Sequence, residues 1–155
     1  MKTGGCQCGA VRFRVEGSLG RPSICHCRMC QKAFGGFYGP LVSTRRAEIV
    51  WTRGEPKRFQ SSNKVQRGFC GDCGTPLTYE WSQEIIELAI GAFDDPAPIR
   101  PMIQLAMDAA MPWFGELADL PPRPAEERET EARWRADLVS YQHPDHDTDA
   151  WPPAR

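Results

Sequence analysis

The sequence has 155 residues, of which 41% are apolar and 25% are charged, and its net charge is −1. This length suffices for one domain with a hydrophobic core, and the near-neutral charge does not favour a nucleic-acid partner. No run of about 18 apolar residues occurs, and residues 1–6 lack the apolar stretch of a signal peptide. We therefore expect a cytoplasmic protein with no membrane partner.

The first half of the chain predicts short strands separated by turns. Residues 10–16 alternate apolar and polar side chains, which is the period of a half-buried strand, and residues 17–20 form a turn. Residues 28–34 predict one or two helical turns that end at Gly35 and Gly36. Further strands are predicted over residues 37–44, 47–52, 57–60 and 65–69.

The second half predicts more strands and then a change of composition. Strands are expected over residues 75–81, 85–90 and 102–107, with a loop at 94–98 and an aromatic segment at 111–114. The proline-rich residues 120–124 indicate a boundary between a domain over 1–124 and a C-terminal part over 125–155.

The C-terminal part predicts a helix over residues 125–142 with Trp134, Leu138 and Tyr141 at helical spacing, followed by a tail. His143 and His146 have a spacing that metal ligands use, but they lie in the predicted tail, and we assign them no role.

All seven cysteines lie in three short groups, which are Cys6 and Cys8, then Cys25, Cys27 and Cys30, then Cys70 and Cys73. Such spacings suit a soft tetrahedral metal with sulfur ligands about 2.3 Å away, which indicates zinc. Disulfides are the alternative, but a reducing cytoplasm and an odd number of clustered cysteines favour metal.

The number of ligands in each group suggests how the cysteines share metal. The central group supplies three sulfurs from one local segment, which leaves Cys6, Cys8, Cys70 and Cys73 as a set of four. Four thiolates make a closed structural zinc site, whereas Cys25, Cys27 and Cys30 would leave a fourth position open, as catalytic zinc does. We expect two zinc ions per chain. One structural zinc, with the remaining thiols free or exchanging as ligands, is the alternative.

The cysteine motifs read Gly5-Cys6-Gln7-Cys8-Gly9, Cys25-His26-Cys27-Arg28-Met29-Cys30 and Phe69-Cys70-Gly71-Asp72-Cys73-Gly74-Thr75. Over roughly residues 3–122, the sequence resembles the family of glutathione-dependent formaldehyde-activating enzymes, which includes centromere protein V. The resemblance implies a mainly β fold of several short coiled antiparallel sheets around zinc, related to methionine sulfoxide reductase B. It also implies the same division into a structural and a second zinc.

This resemblance implies a carbon–sulfur lyase activity, written in reverse as the joining of glutathione and formaldehyde to S-(hydroxymethyl)glutathione. A small-molecule thiol, glutathione above all, is thus the expected partner. Relatives often carry a histidine near the position of residues 101–104, whereas this chain has none between His26 and His143. This difference predicts a different substrate if that histidine assists the reaction in relatives.

Other features leave functional and structural interpretations open. Seven basic residues against two glutamates between residues 45 and 67 can steer an anionic thiol or form solvated strand faces; the basic residues are Arg45, Arg46, Arg53, Lys57, Arg58, Lys64 and Arg67. Four aromatic residues can line a pocket beside the open zinc or belong to the core; they are Phe34, Phe37, Tyr38 and Trp51.

His26 lies between two expected ligands, so its ring is predicted to point away from the metal, as a proton relay or a hydrogen-bond donor. The alternatives to an enzyme are a zinc-stabilised binding or scaffolding module that uses the C-terminal helix, and a glutathione carrier.

Overall fold

Two β-sheets dominate the computed structural model, which describes residues 2–151. The ten strands of this part are β1 Lys2–Gly5, β2 Arg12–Val15, β3 Ser23–Cys25, β4 Gly39–Arg45, β5 Ile49–Arg53, β6 Lys57–Ser62, β7 Val65–Phe69, β8 Pro76–Glu80, β9 Ile85–Ala89 and β10 Ile103–Leu105. Its two α-helices are α1 Arg28–Phe34 and α2 Ala125–Ala136. The predicted mainly β class with a C-terminal helix is confirmed.

The strands pair into a small and a large sheet. The small sheet has the order β1-β2-β5, and the large sheet has the order β10-β3-β4-β9-β8-β7-β6. Every pair is antiparallel except β10 and β3, which run parallel. Because β3 lies in the large sheet and leads directly into α1, the central cysteine group lies at the end of a fixed strand.

The core lies between the two sheets and is centred on Phe13, which is fully buried. Its ring meets the rings of Trp51 and Phe93 edge-on, at centroid distances of 6.0 and 5.2 Å. A Cβ atom at Gly4 would lie 2.5 Å from the Phe13 ring, so β1 can approach the core only because this residue is glycine. This packing places Cys6 and Cys70 in the same buried cluster.

Several predicted boundaries differ from the structure. Strands β1 and β3 were not predicted, because Lys2–Gly5 and Ser23–Cys25 are too short to show an apolar alternation. Helix α2 ends at Ala136 instead of residue 142, since Val139 and Ser140 have weaker helix propensity than the residues before them. The prediction that Trp134, Leu138 and Tyr141 share one helical face is therefore wrong.

Residues 143–151, here named the C-terminal strap, return to the N-terminal part of the chain. The backbone N–H of His143 donates to the carbonyl of Gln7 at 2.7 Å, and the Trp151 indole donates to the carbonyl of Cys8. His143 is 3% exposed. The prediction of a loose tail is thus wrong for this segment, whose contacts are too distant in sequence to be inferred from composition. The end of the predicted tail, 152–155, lies outside the described residues.

An ion pair and several hydrogen bonds hold the strap against the small sheet. The buried guanidinium of Arg12 lies 2.7 Å from the carboxylate of Asp147. Arg53 donates to the hydroxyl of Thr148 at 3.1 Å.

Within residues 2–151, neither helix has the length and apolar character that crossing a membrane requires.

Candidate metal centres

The first cysteine cluster joins two turns that are distant in sequence. Cys6 and Cys8 lie between β1 and β2, and Cys70 and Cys73 lie between β7 and β8. The four sulfur atoms lie within 4.8 Å of one another, with 3.6 Å between Cys6 and Cys8 and 3.7 Å between Cys8 and Cys70. Bonds of about 2.3 Å to a tetrahedral zinc place its sulfur ligands about 3.8 Å apart. The cluster thus has the dimensions of a four-thiolate zinc site.

Each of the two turns of this cluster contains a glycine with positive φ that bonds back to the first cysteine of its turn. Gly9 and Gly74 have φ values of +74° and +78°, a conformation that favours glycine, and their N–H groups donate to the carbonyls of Cys6 and Cys70. The N–H of Val11 donates to the Cys6 sulfur at 3.2 Å, and the N–H of Asp72 donates to the Cys70 sulfur at 3.4 Å. Donors aimed at sulfur stabilise the thiolate form that metal requires.

The second cluster is local and surrounds the start of α1. Cys25 ends β3, Cys27 is the N-cap of α1, and Cys30 lies in its first turn, with all three sulfurs within 4.8 Å of one another. The backbone N–H of Cys30 donates to the Cys27 sulfur at 3.4 Å. Burial opposes ionisation of Cys27, but this bond and other hydrogen bonds outweigh it and lower its pKa.

The other thiols of the two clusters differ in how easily they ionise. Burial raises the pKa of Cys6, and it raises the pKa of Cys30 to about 12 in spite of the nearby Arg67. Burial also acts against ionisation of Cys73, but hydrogen bonds, first from the Thr75 hydroxyl, lower its pKa to about 6. Thiols crowded around one point, with amide and hydroxyl donors pointing at their sulfurs, fit a cation that holds them as thiolates.

A cavity of about 300 Å³ opens beside the second cluster. Its lining consists of Ser23, Cys25, Cys27, Met29, Cys30, Leu41, Arg67, Tyr79, Trp81, Glu87 and Leu105. The first cluster supplies four sulfurs, whereas the second supplies three and faces this space. A ligand in the cavity can therefore reach a fourth position on a metal held by the second cluster. The roles of both sets as zinc ligands, and of the second as a reaction site, stay predictions.

One wall of the cavity carries polar side chains from β7, β8 and β9. The guanidinium of Arg67, 4% exposed, donates to the Cys30 sulfur at 3.3 Å and lies 4.8 Å from the centre of the Tyr79 ring. The Trp81 indole donates to the Glu87 carboxylate at 3.1 Å. Burial raises the pKa of Glu87, and the bond from Trp81 and the charge of Arg67 reduce that rise.

Sequence reasoning missed Tyr79, Trp81 and Glu87. A signal was present, because Glu87 is the single charged residue within the apolar strand Ile85–Ala89, and Tyr79 pairs with Glu87 in the register of β8 and β9. The predicted hairpin strands over residues 75–81 and 85–90 contain all three residues. Their convergence on the cysteines depends on the strand order, which the sequence did not indicate.

The four aromatic residues predicted as possible pocket residues do not line this cavity. Trp51 packs against Phe13 in the core, and the ring of Phe37 lies against Trp113, with 4.6 Å between centroids. Tyr38 and Phe34 are likewise absent from the lining. The structural interpretation of Trp51 was the correct one.

The basic residues between 45 and 67 do not form one free patch. Arg46 and Arg58 both pair with Glu80, at 2.9 and 3.0 Å, and Arg53 binds the C-terminal strap. Of the seven, Arg67 alone lines the cavity described above.

His26 is fully buried, and its ring lies outside the cavity lining. Its Nε2 lies 3.0 Å from the side-chain oxygen of Gln104 on β10, and its ring packs edge-on against Phe114, 4.6 Å between centroids. Gln31 donates to the His26 carbonyl at 2.7 Å. These contacts fix the position of His26 between Cys25 and Cys27. They hold its ring against Gln104 and Phe114, outside the cavity.

The two sheets and the two sulfur clusters define a mainly β protein whose cysteines are grouped as metal ligands would be. The family described as glutathione-dependent formaldehyde-activating enzyme has a model that matches residues 1–108. The chain belongs to this family. The matched residues include all seven cysteines and the whole cavity lining, whereas α2 and the C-terminal strap lie beyond them.

No curated protein matches the chain. Among solved structures, the crystal structure of a Rhodobacter sphaeroides protein is similar, with a TM-score of 0.53 and 19% sequence identity. The similarity covers 66% of this chain and 98% of that chain. At this identity, the likeness supports the fold alone.

Proposed function

We propose that the protein joins a thiol such as glutathione to formaldehyde or a related small aldehyde, the reverse of a carbon–sulfur lyase reaction. The observation that carries this proposal is the group of three sulfurs, from Cys25, Cys27 and Cys30, in the wall of a cavity of about 300 Å³. Membership of the family supports glutathione and formaldehyde as the reactants.

The reaction needs a thiolate held beside an electrophilic carbon. A zinc ion bound by the three sulfurs would promote loss of the thiol proton at neutral pH. The carbon–sulfur bond forms while the π bond of the aldehyde breaks, and the oxygen that receives the electron pair is protonated. The product is a hemithioacetal, with no net gain or loss of electrons.

The side chains of the cavity position the reactants and provide a partly apolar lining. Leu41, Leu105 and Met29 form an apolar wall. This wall offers a small aldehyde few hydrogen-bonding groups, so the polar groups near the sulfurs determine how the aldehyde is oriented. Arg67 places a buried positive charge beside the Cys30 sulfur and supports its thiolate form. Holding two reactants together is the main contribution expected, because glutathione and formaldehyde also combine without a catalyst.

Zinc content before and after dialysis against glutathione tests the proposal. We expect two zinc ions in the native protein and one in Cys27→Ser, with formaldehyde consumption above the uncatalysed rate in the native protein and not in Cys27→Ser. Cys73→Ser is the matched control, because it changes a cysteine of the first cluster and leaves the cavity intact. One zinc in both the native protein and Cys27→Ser, without turnover, would overturn the proposal.

A non-catalytic scaffolding module is the second candidate, and the exposure of the C-terminal helix favours it. Helix α2 buries none of its residues, and Trp134 is 69% exposed. Truncation after Pro124 would also remove the C-terminal strap, so it cannot test this surface alone. Substitution of Trp134 and Leu138 by alanine is the sharper experiment, because unchanged assembly with retained thiol chemistry would count against scaffolding.

We also propose that residues 1–124 form the zinc-binding domain and residues 125–155 an addition to it. The support is that the family match ends at residue 108, before α2 begins.

A further inference from the structure

Joining a thiol to an aldehyde requires the movement of one proton. The thiol must lose its proton before its sulfur attacks, and the oxygen of the adduct must gain one. Both transfers are most efficient with a side chain in the cavity that takes up the proton and returns it.

Most of the polar residues in the lining are unsuitable for this transfer. The three cysteines are the expected ligands, an arginine such as Arg67 is not deprotonated in proteins, and Ser23 and Trp81 do not titrate near neutral pH. Burial raises the pKa of Tyr79, so its hydroxyl keeps its proton. Glu87 is the remaining group of the lining.

The surroundings of Glu87 suit a carboxyl group that exchanges a proton. It lies in the middle of β9, half-buried, opposite Tyr79 on β8 and Ser43 on β4. Its hydrogen bond comes from the neutral Trp81 indole, and among the ion pairs within residues 2–151 none involves its carboxylate. A carboxylate with a neutral partner in a partly desolvated cavity binds a proton more readily than one paired with a cation.

We propose that Glu87 accepts the proton of the entering thiol and returns it to the oxygen of the adduct. This inference rests on the proposed function. The S–H bond breaks as the proton moves to the carboxylate, the sulfur–carbon bond forms, and the electron pair of the carbonyl π bond moves to oxygen. Oxygen then takes the proton from Glu87, which returns to its ionised form for the next cycle.

The titratable and charged groups that share the cavity with Glu87 are Arg67 on β7, Tyr79 on β8 and the three cysteines around α1. Arg67 favours the ionised carboxylate, whereas a thiolate that enters the cavity favours the protonated one. Arrival of a thiolate therefore promotes proton uptake by Glu87 at the moment when the thiol releases its proton.

Proton release on thiol binding tests this proposal without turnover. The zinc-loaded full chain is titrated with glutathione at pH 7.5 in two buffers of different ionisation enthalpy, and the calorimetric heats give the protons released per thiol bound. We expect a value near zero for the native protein, because the proton stays on Glu87. In Glu87→Gln, which keeps an acceptor for Trp81, we expect a value near one.

Turnover supplies the second readout. Glu87→Gln should lower kcat/KM for glutathione and formaldehyde about 100-fold, with thiol affinity nearly unchanged, since general acid–base catalysis contributes about 10²–10⁴-fold. Glu84→Gln is the matched control, because Glu84 is exposed just before β9 and lies outside the cavity lining. Glu87→Asp, which keeps a carboxylate, serves if Glu87→Gln does not fold, and should retain part of the proton uptake.

Two results would overturn the inference in distinguishable ways. Release of one proton by both the native protein and Glu87→Gln, with equal turnover, would exclude Glu87 and leave the proposed function standing. Failure of the native protein to bind glutathione or to consume formaldehyde would overturn the proposed function, and the role of Glu87 with it.

Discussion

The guanidinium of Arg67 donates a hydrogen bond to the sulfur of Cys30 over 3.3 Å. Arg67 lies on β7 and Cys30 lies on α1, so the buried Arg67 side chain connects the large sheet to the helix that carries the second cluster. The bond places a fixed positive charge beside the most buried sulfur of the second cluster. If the second cluster binds zinc as proposed, its affinity for the metal should depend on Arg67, which is not among the expected ligands.

Replacement of Arg67 by glutamine should weaken zinc binding at the second cluster about 10- to 100-fold, the range found when groups that support metal ligands are removed. Competition with a chromophoric chelator measures both sites. The affinity of the first cluster should not change. Arg58→Gln is the control, since Arg58 pairs with Glu80 and not with a sulfur. Equal affinity of both variants for zinc at the second cluster would contradict the coupling.

Glu87→Gln should stabilise the protein at neutral pH. Burial raises the pKa of Glu87 above its unfolded value of about 4.3, so the ionised carboxylate costs stability above its folded pKa. This cost is absent below the unfolded pKa, where both states are protonated. We expect a higher unfolding temperature for Glu87→Gln at pH 8 and a smaller difference at pH 5. A destabilised variant at pH 8 would show that the carboxylate serves the fold instead.

Asp94→Asn should lower the free energy of unfolding at pH 7 by about 3 kcal/mol, the lower end for breaking a buried ion pair, since Arg12 keeps Asp147. Burial raises the pKa of Asp94, but hydrogen bonds from Arg12 outweigh this and hold it below its usual value. The contribution is thus present above about pH 3.9 and is lost as the pH falls through the folded pKa.

Urea unfolding of Asp94→Asn and Asp95→Asn measures this difference, because Asp95 is the exposed neighbour and its change should be nearly neutral. Equal destabilisation of the two variants would mean that the Arg12–Asp94 pair adds no stability.

Trp151→Ala should speed the transfer of zinc from the first cluster to a chelator several-fold. Its indole donates to the carbonyl of Cys8, and together with His143 it packs directly on Gly9, so it covers this turn. Trp134→Ala removes an equal side chain from α2 and should have no effect on the transfer rate. If both variants release zinc at the native rate, the C-terminal strap does not protect the cluster.

The cysteine clusters were predictable because each motif is short: the central motif supplies three sulfurs from one segment, and the other two supply two sulfurs each, which together make a set of four. Strands with clear alternation, such as Val65–Phe69, were predictable for the same reason. The cavity was not, because Arg67, Trp81 and Glu87 meet through the order β9-β8-β7, a property of the whole sheet. The contacts of the C-terminal strap were also unpredictable, since composition carries no information on where a polar segment binds.

The first cluster is assembled from turns that leave the ribosome at different times. Cys70 follows Cys8 by 62 residues, and Trp151 follows Cys8 by 143. At a synthesis rate of about 5–20 residues per second, Cys70 is synthesised about 3–12 s after Cys8, and Trp151 is synthesised about 7–29 s after Cys8. The three sulfurs from Cys25 to Cys30 emerge together, so the nascent chain can take up its first metal at the second cluster, before the four-cysteine site exists.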